Sequence, residues 1–189
     1  MKYTEEQIEN YLREYIRSNK ESIKKRLKFL LENYINEDQL ISTDIWFFFE
    51  EARHSFMMGD YVASMIMCSA TIERYLAKLL EEPYYAPTDE KSAIKSTGKR
   101  LIETARKKKI IDNDLKNKLL ELNKMRNDFV HGIESYVHTR PQIKDPIRNV
   151  FMWTNKDVFR EEVENNAKKA IMILFEAMKK LHHSRLNYY

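Results

Sequence analysis

Glycine, proline and cysteine are nearly missing from this chain. Its 189 residues hold three Gly, four Pro and one Cys. So little turn punctuation leaves most of the length for helices and argues against an all-β fold. A single Cys excludes an intrachain disulfide. No apolar run approaches the roughly 20 residues of a membrane span. The opening Met-Lys-Tyr-Thr-Glu-Glu has no apolar signal-peptide core, so a cytoplasmic, membrane-free protein is expected. Net charge is modest at +4. The basic residues cluster at Lys24-Lys25-Arg26, Lys99-Arg100 and Arg106-Lys107-Lys108-Lys109, each expected to be a solvated helix face.

What is present is helical periodicity. Thr4-Glu5-Glu6-Gln7 reads as a capping box ahead of Ile8, Tyr11, Leu12, Tyr15 and Ile16. Ser18-Asn19-Lys20-Glu21 reads as a second box, opening Ile23, Leu27, Leu30, Leu31 and Tyr34. Residues 1–42 are therefore expected to form a two-helix N-terminal extension. Thr43 or Asp44 caps a helix that ends near Gly59 and carries Ile45-Trp46-Phe47-Phe48-Phe49, apolar all round. Asp60 opens the next helix, to about Glu82, with Met65, Cys68, Ile72, Leu76 and Leu79 as its stripe and Cys68 as core filler.

Pro83 and Pro87 break the chain, and Ser92 to Lys108 reads as a helix weakened by Gly98. Asp112 to His131 reads as a helix with Leu115, Leu119, Leu122, Met125 and Phe129 apolar, stopped by Gly132. Residues 134–155, with Pro141, Pro146 and the alternating Val150 to Thr154, are expected to form a short irregular or hairpin insert. Asn155 or Asp157 caps a last helix to about Leu181. Its stripe is Val163, Ala167, Ala170, Ile171, Leu174, Ala177, Met178 and Leu181.

The stretch with chemistry in it is Lys124-Met125-Arg126-Asn127-Asp128-Phe129-Val130-His131-Gly132. Histidine titrates near neutrality and serves as acid or base; Arg stays charged and makes forked bonds to phosphate; Asn orients a phosphate, a hydroxyl or an imidazole. On a helix, Asn127 and His131 lie one turn apart on one face, with Arg126 roughly 140° around from His131. One copy does not converge all three groups, and one His is not both acid and base in a single step. Two facing copies supply two of each. Otherwise Arg126 bridges Asp128 or a neighbouring helix, and His131 is a capping residue.

Arg126-Asn127-x-x-x-His131 resembles the R-x4-6-H signature of the HEPN superfamily (higher eukaryotes and prokaryotes nucleotide-binding domains). It takes the form with a polar residue after the Arg. Ser69 to Leu80 is similar to the family's earlier core helix, which often carries an acidic residue, here Glu73. The resemblance covers roughly residues 43–183. It implies an all-α, HEPN-like up-and-down bundle, residues 43–189, following the extension at 1–42. It also implies a metal-independent endoribonuclease of toxin or defence systems, working on RNA at a homodimer cleft with no cofactor. Arg126, Asn127 and His131 would be catalytic. Glu73, Asp128, His138 and Arg140 are possible supporting residues, beside the bland alternatives of a solvated glutamate and loop composition. Some members carry a Tyr two residues after the His, which a minimal nucleotidyltransferase antitoxin modifies; Ile133 stands there in this chain, and Tyr136 is out of pattern. Such a partner stays an expectation, its chemistry at that position does not. The alternative is a non-catalytic nucleotide-binding, RNA-binding or adaptor module. His182-His183 reads as a cation pair at a helix end rather than a metal site.

Overall fold

Apolar residues recurring every three or four positions became helices along the chain. The computed structural model describes residues 4–33, 43–81, 98–138 and 156–186, which hold six helices and no strand. These are α1 (Glu5–Glu32), α2 (Thr43–Met58), α3 (Tyr61–Glu81), α4 (Gly98–Lys107), α5 (Asn113–His138) and α6 (Lys156–Leu186). The expected all-α class holds. Among the described residues five helices lie from Thr43 onward, against about four expected.

The fold centres on α3, which packs against α2, α4, α5 and α6. Its stripe of Met65, Cys68, Ile72, Leu76 and Leu79 is buried as expected, joined by Tyr75 and Leu80. All eight apolar positions read for α6 are buried too. Three of them are alanines, small enough for helices to approach closely. Burial pushes the Cys68 thiol far above its ordinary pKa, which makes it inert core filler. None of the helices is long and apolar enough to cross a membrane among the described residues.

Two tight corners order the bundle. At the end of α2 the Asp60 N–H donates to Ser55 O (2.8 Å) and the Gly59 N–H to Phe56 O (3.0 Å). Gly59 has φ +89°, the left-handed cap conformation that glycine takes without penalty. Between α4 and α5 the same left-handed conformation falls on Lys109, at φ 63°. Asp112 then caps α5, its Oδ1 accepting from the Leu115 N–H at 2.7 Å.

Several expectations are corrected. The N-terminal extension is one helix, not two. Ser18 does not cap; its hydroxyl bonds back to the Glu14 and Tyr15 carbonyls at 2.8 and 3.1 Å, the mid-helix alternative open to serine. The Thr4 box is real, with both reciprocal bonds formed. Gly132 does not stop α5, which runs on to His138; glycine permits a left-handed cap but does not force one. The described part of the helix read from Ser92 to Lys108 is Gly98–Lys107, and residues 92–97 lie outside the described residues. The last helix continues to Leu186, and His182 is buried within it rather than at a helix end; the side chain of His183 lies outside the described residues. In α2, Ile45 and Phe49 are buried and Trp46 and Phe48 half-buried, leaving only Phe47 largely exposed at 59 %. Of the insert read at 134–155, residues 134–138 are instead the end of α5, and 139–155 lie outside the described residues, as do the breaks at Pro83 and Pro87 and Arg140.

Arg26 was expected on a solvated face and is instead 5 % exposed. From α1 its Nε donates to Met57 O (2.7 Å) at the C-terminal end of α2, where a cation complements the helix dipole. Its Nη1 donates to the Tyr61 hydroxyl (3.3 Å), which donates to Glu164 of α6 (2.6 Å). This chain of bonds pins the C-terminal half of α1 to the bundle.

Candidate functional site

The site grows from the helix register of α3 and α5. In α5, Leu115, Leu119 and Leu122 are buried, and Met125 and Phe129 pack on the same core. Arg126, one turn beyond Leu122, therefore sits at the edge of the buried stripe, half-buried. In α3, Ser69, Ile72 and Leu76 are buried, and Glu73 takes the matching edge position. Where α3 and α5 meet, the two edges meet.

Arg126 Nη2 lies 3.7 Å from Glu73 Oε1, and Arg126 Nη1 donates to Asn127 Oδ1 at 3.1 Å. The Ser69 hydroxyl donates to the same Glu73 oxygen at 3.3 Å. Gly98 closes the group from α4. A Cβ on it would collide with Glu73 Oε1, lie 3.0 Å from Glu73 Cδ and lie 3.1 Å from Asn123 Oδ1. The carboxylate thus rests against the backbone of Gly98 in α4. Lys99 and Arg100, next in α4, are exposed.

Of the residues singled out in the sequence, the structure brings together Glu73, Arg126 and Asn127. Arg126 takes the neighbouring-helix option and not Asp128, which is exposed and roughly 200° further round α5. The backbone places His131 one turn past Asn127, and His138 two turns past His131, on the same helix. The side chains of His131 and His138 lie outside the described set. Three members of the group were missed: Ser69, Asn123 and Gly98. Gly98 carried a usable signal. In a chain with three glycines, one inside a helical pattern marks a close approach as readily as a weakness.

A guanidinium held by a carboxylate and an amide has a fixed place and orientation, so it can meet a phosphate without first being ordered. The Arg126 and Glu73 side chains remain 32 % and 26 % exposed. The two depressions described, of about 550 and 600 Å³, lie along α6 and are lined by Lys118, Glu176 and Lys179 or by Asp112, Leu115 and Lys180, with no motif residue in either. Among the described residues, no cluster of three or more His, Cys, Asp or Glu is placed to hold a metal ion. No protein-family model matches the chain, and neither a curated protein nor a solved structure does.

Proposed function

We propose that the chain is a metal-independent endoribonuclease of the HEPN type, a toxin or defence effector acting as a homodimer on RNA. Arg126, Asn127 and His131 are its working residues, at a cleft between two copies. The observation that carries this reading is the joining of Glu73 on α3 to the motif on α5 through Arg126. Ser69, Asn127 and the start of α4 gather round the same pair. A surface arginine with no task needs no such support from three helices.

The reaction suited to these groups is transesterification. The ribose 2′-oxygen forms a bond to phosphorus and the bond to the 5′-oxygen breaks. One His131 takes the 2′ proton and the second copy's His131 gives a proton to the departing oxygen. Arg126 neutralises charge on the phosphate, and Asn127 holds Arg126 while orienting substrate. Glu73 is a positioning residue. An antitoxin partner fits this reading, by contact rather than by modification at Ile133.

Replacing Arg126 tests the proposal. Arg126→Ala should cost several kcal/mol of transition-state stabilisation. Arg126→Lys should recover only part of the activity, since an ammonium lacks the forked geometry. Products should end in a 2′,3′-cyclic phosphate and a 5′-hydroxyl. RNA binding without cleavage would favour the runner-up, a binding or adaptor module. That reading draws on Glu73 already occupying the guanidinium.

A further inference from the structure

The positive charge of this chain is concentrated in one place. Between Gly98 and Ile111 stand six cations, Lys99, Arg100, Arg106, Lys107, Lys108 and Lys109, against one acid, Glu103. The rest of the chain holds 27 basic and 28 acidic residues and is close to neutral. Helix register gathers the cations. At about 100° per residue, Lys99, Arg100, Arg106 and Lys107 fall within an arc of roughly 120° on α4, with Glu103 in the middle of it. Lys99, Arg100 and Lys107 are exposed and Arg106 is half-buried. Gly98, Leu101, Ile102 and Ala105 take the opposite side and are buried.

Other cations of the bundle have acids to answer them. Lys118, Lys168, Lys169 and Lys180 each have a carboxylate partner. Asp112 and Asp114, the next acids after α4, are among those partners, held by Lys180 and Lys118. Glu73, where α3 meets α4, is taken by Arg126. Lys99, Arg100 and Lys107 make no ion pair among the described residues. Arg106 is fixed by an uncharged group, its Nε donating to Asn113 Oδ1 at 2.6 Å.

The partner that suits such a face is a polyanion that asks for no apolar contact. The arc carries no apolar side chain, and Leu101, Ile102 and Ala105 are turned into the core. Protein interfaces centre on apolar and aromatic groups and are poor in lysine. A helix that lies on a membrane needs a free apolar face to enter it. A sugar–phosphate backbone needs only cations, which release its condensed counterions. α4 also touches the candidate site, since Gly98, just before Lys99, lies against Glu73 and Asn123. Its ten residues carry the face about 15 Å along the surface.

We propose that the cationic face of α4 holds the backbone of an RNA strand to one side of the cleaved phosphate, through phosphate contacts that carry no base preference. This rests on the reading of the chain as a protein that acts on RNA, and it asks for a substrate that runs on past the cut.

The experiment reads binding rather than cleavage, so the two readings fail separately. Full-length His131→Ala protein, which leaves the RNA whole, is titrated into a labelled oligouridylate of about 20 nucleotides. Fluorescence anisotropy is followed between about 50 and 200 mM NaCl. On a single strand each phosphate contact adds about 0.7 to the slope of log affinity against log salt. Adding Lys99→Gln, Arg100→Gln and Lys107→Gln should therefore lower the slope by about 2 and weaken binding roughly 10-fold or more. The thermal midpoint should not move, because these side chains face solvent. Glu103→Gln should tighten binding. Lys20→Gln, Lys24→Gln and Lys25→Gln remove the same charge from α1 and should leave the slope unchanged. No RNA binding, equal losses from the α1 and α4 triples, or binding to phosphatidylserine vesicles or polyglutamate as tight as to RNA would overturn the proposal. RNA binding that depends on α4, in a protein whose wild type never cleaves RNA, would overturn the ribonuclease reading and leave this one standing.

Discussion

The ion pair between α3 and α5 at the candidate site yields a number that a double-mutant cycle can check. The four proteins are wild type, Glu73→Gln, Arg126→Gln and the double variant. Unit charges 3.7 Å apart attract by ~1 kcal/mol at the dielectric of water and by roughly 4 kcal/mol at an effective dielectric of 20. The two side chains are 26 % and 32 % exposed, and such pairs keep little of the larger figure once screening and side-chain entropy are counted. The coupling should therefore be about 0.5–1 kcal/mol in urea unfolding at low salt. It should shrink in 1 M NaCl, where the screening length falls to about 3 Å. The same four proteins assayed on RNA should show a coupling in rate, because Glu73 acts through Arg126. Additivity of the two substitutions within about 0.2 kcal/mol would refute the pairing, as would a coupling indifferent to salt; residues well apart behave additively.

Two further outcomes follow from the same geometry. Gly98→Ala places a Cβ against Glu73 Oε1, the far end of a flexible side chain. The carboxylate should swing aside, so stability should change by less than about 1 kcal/mol while the Glu73–Arg126 coupling disappears in a repeated cycle. Asp112→Ala removes the cap of α5 and should cost about 1 kcal/mol at pH 7 by urea unfolding. The hydrogen bond from the Leu115 N–H, opposed by a little desolvation and helped by Lys180, holds the Asp112 carboxyl below the usual range. A depressed carboxylate stabilises the fold above its unfolded pKa of about 3.9 and stops doing so as pH falls through the folded value. The difference between wild type and Asp112→Ala should therefore narrow below about pH 4.

How much of this was legible in the sequence differs from residue to residue, for physical reasons. Stripes were legible because burial follows the 3.6-residue period directly: α6 shows all eight expected positions inside. Boundaries were less so. Thr4 and Ser18 open the same pattern, yet only Thr4 has extended backbone at the cap, with ψ 157°. Ser18 follows residues already helical, and its hydroxyl simply turned back onto Glu14. Gly59 and Gly132 look alike in sequence, and only Gly59 takes the left-handed conformation. At the site, Arg126 and Asn127 were visible because they are adjacent. Ser69 and Asn123 were not, because their meeting depends on how α3, α4 and α5 pack, which no local spacing encodes; Gly98 was marked only by the rarity of glycine. Arg26 was read as one charge of a solvated run. Its burial depended on the end of α2 offering a carbonyl and Tyr61 a hydroxyl.

The central claim is that His131 moves protons during RNA cleavage that needs no metal. The most direct measurement is the rate at which wild type and His131→Ala cleave single-stranded or transfer RNA in excess EDTA. Wild type should remain active in the chelator, and His131→Ala should be slower by 10²- to 10⁴-fold, the usual worth of a general acid or base, with an unchanged circular dichroism spectrum. Equal rates for the two proteins, or wild-type activity lost with EDTA and restored by a divalent metal, would contradict the account.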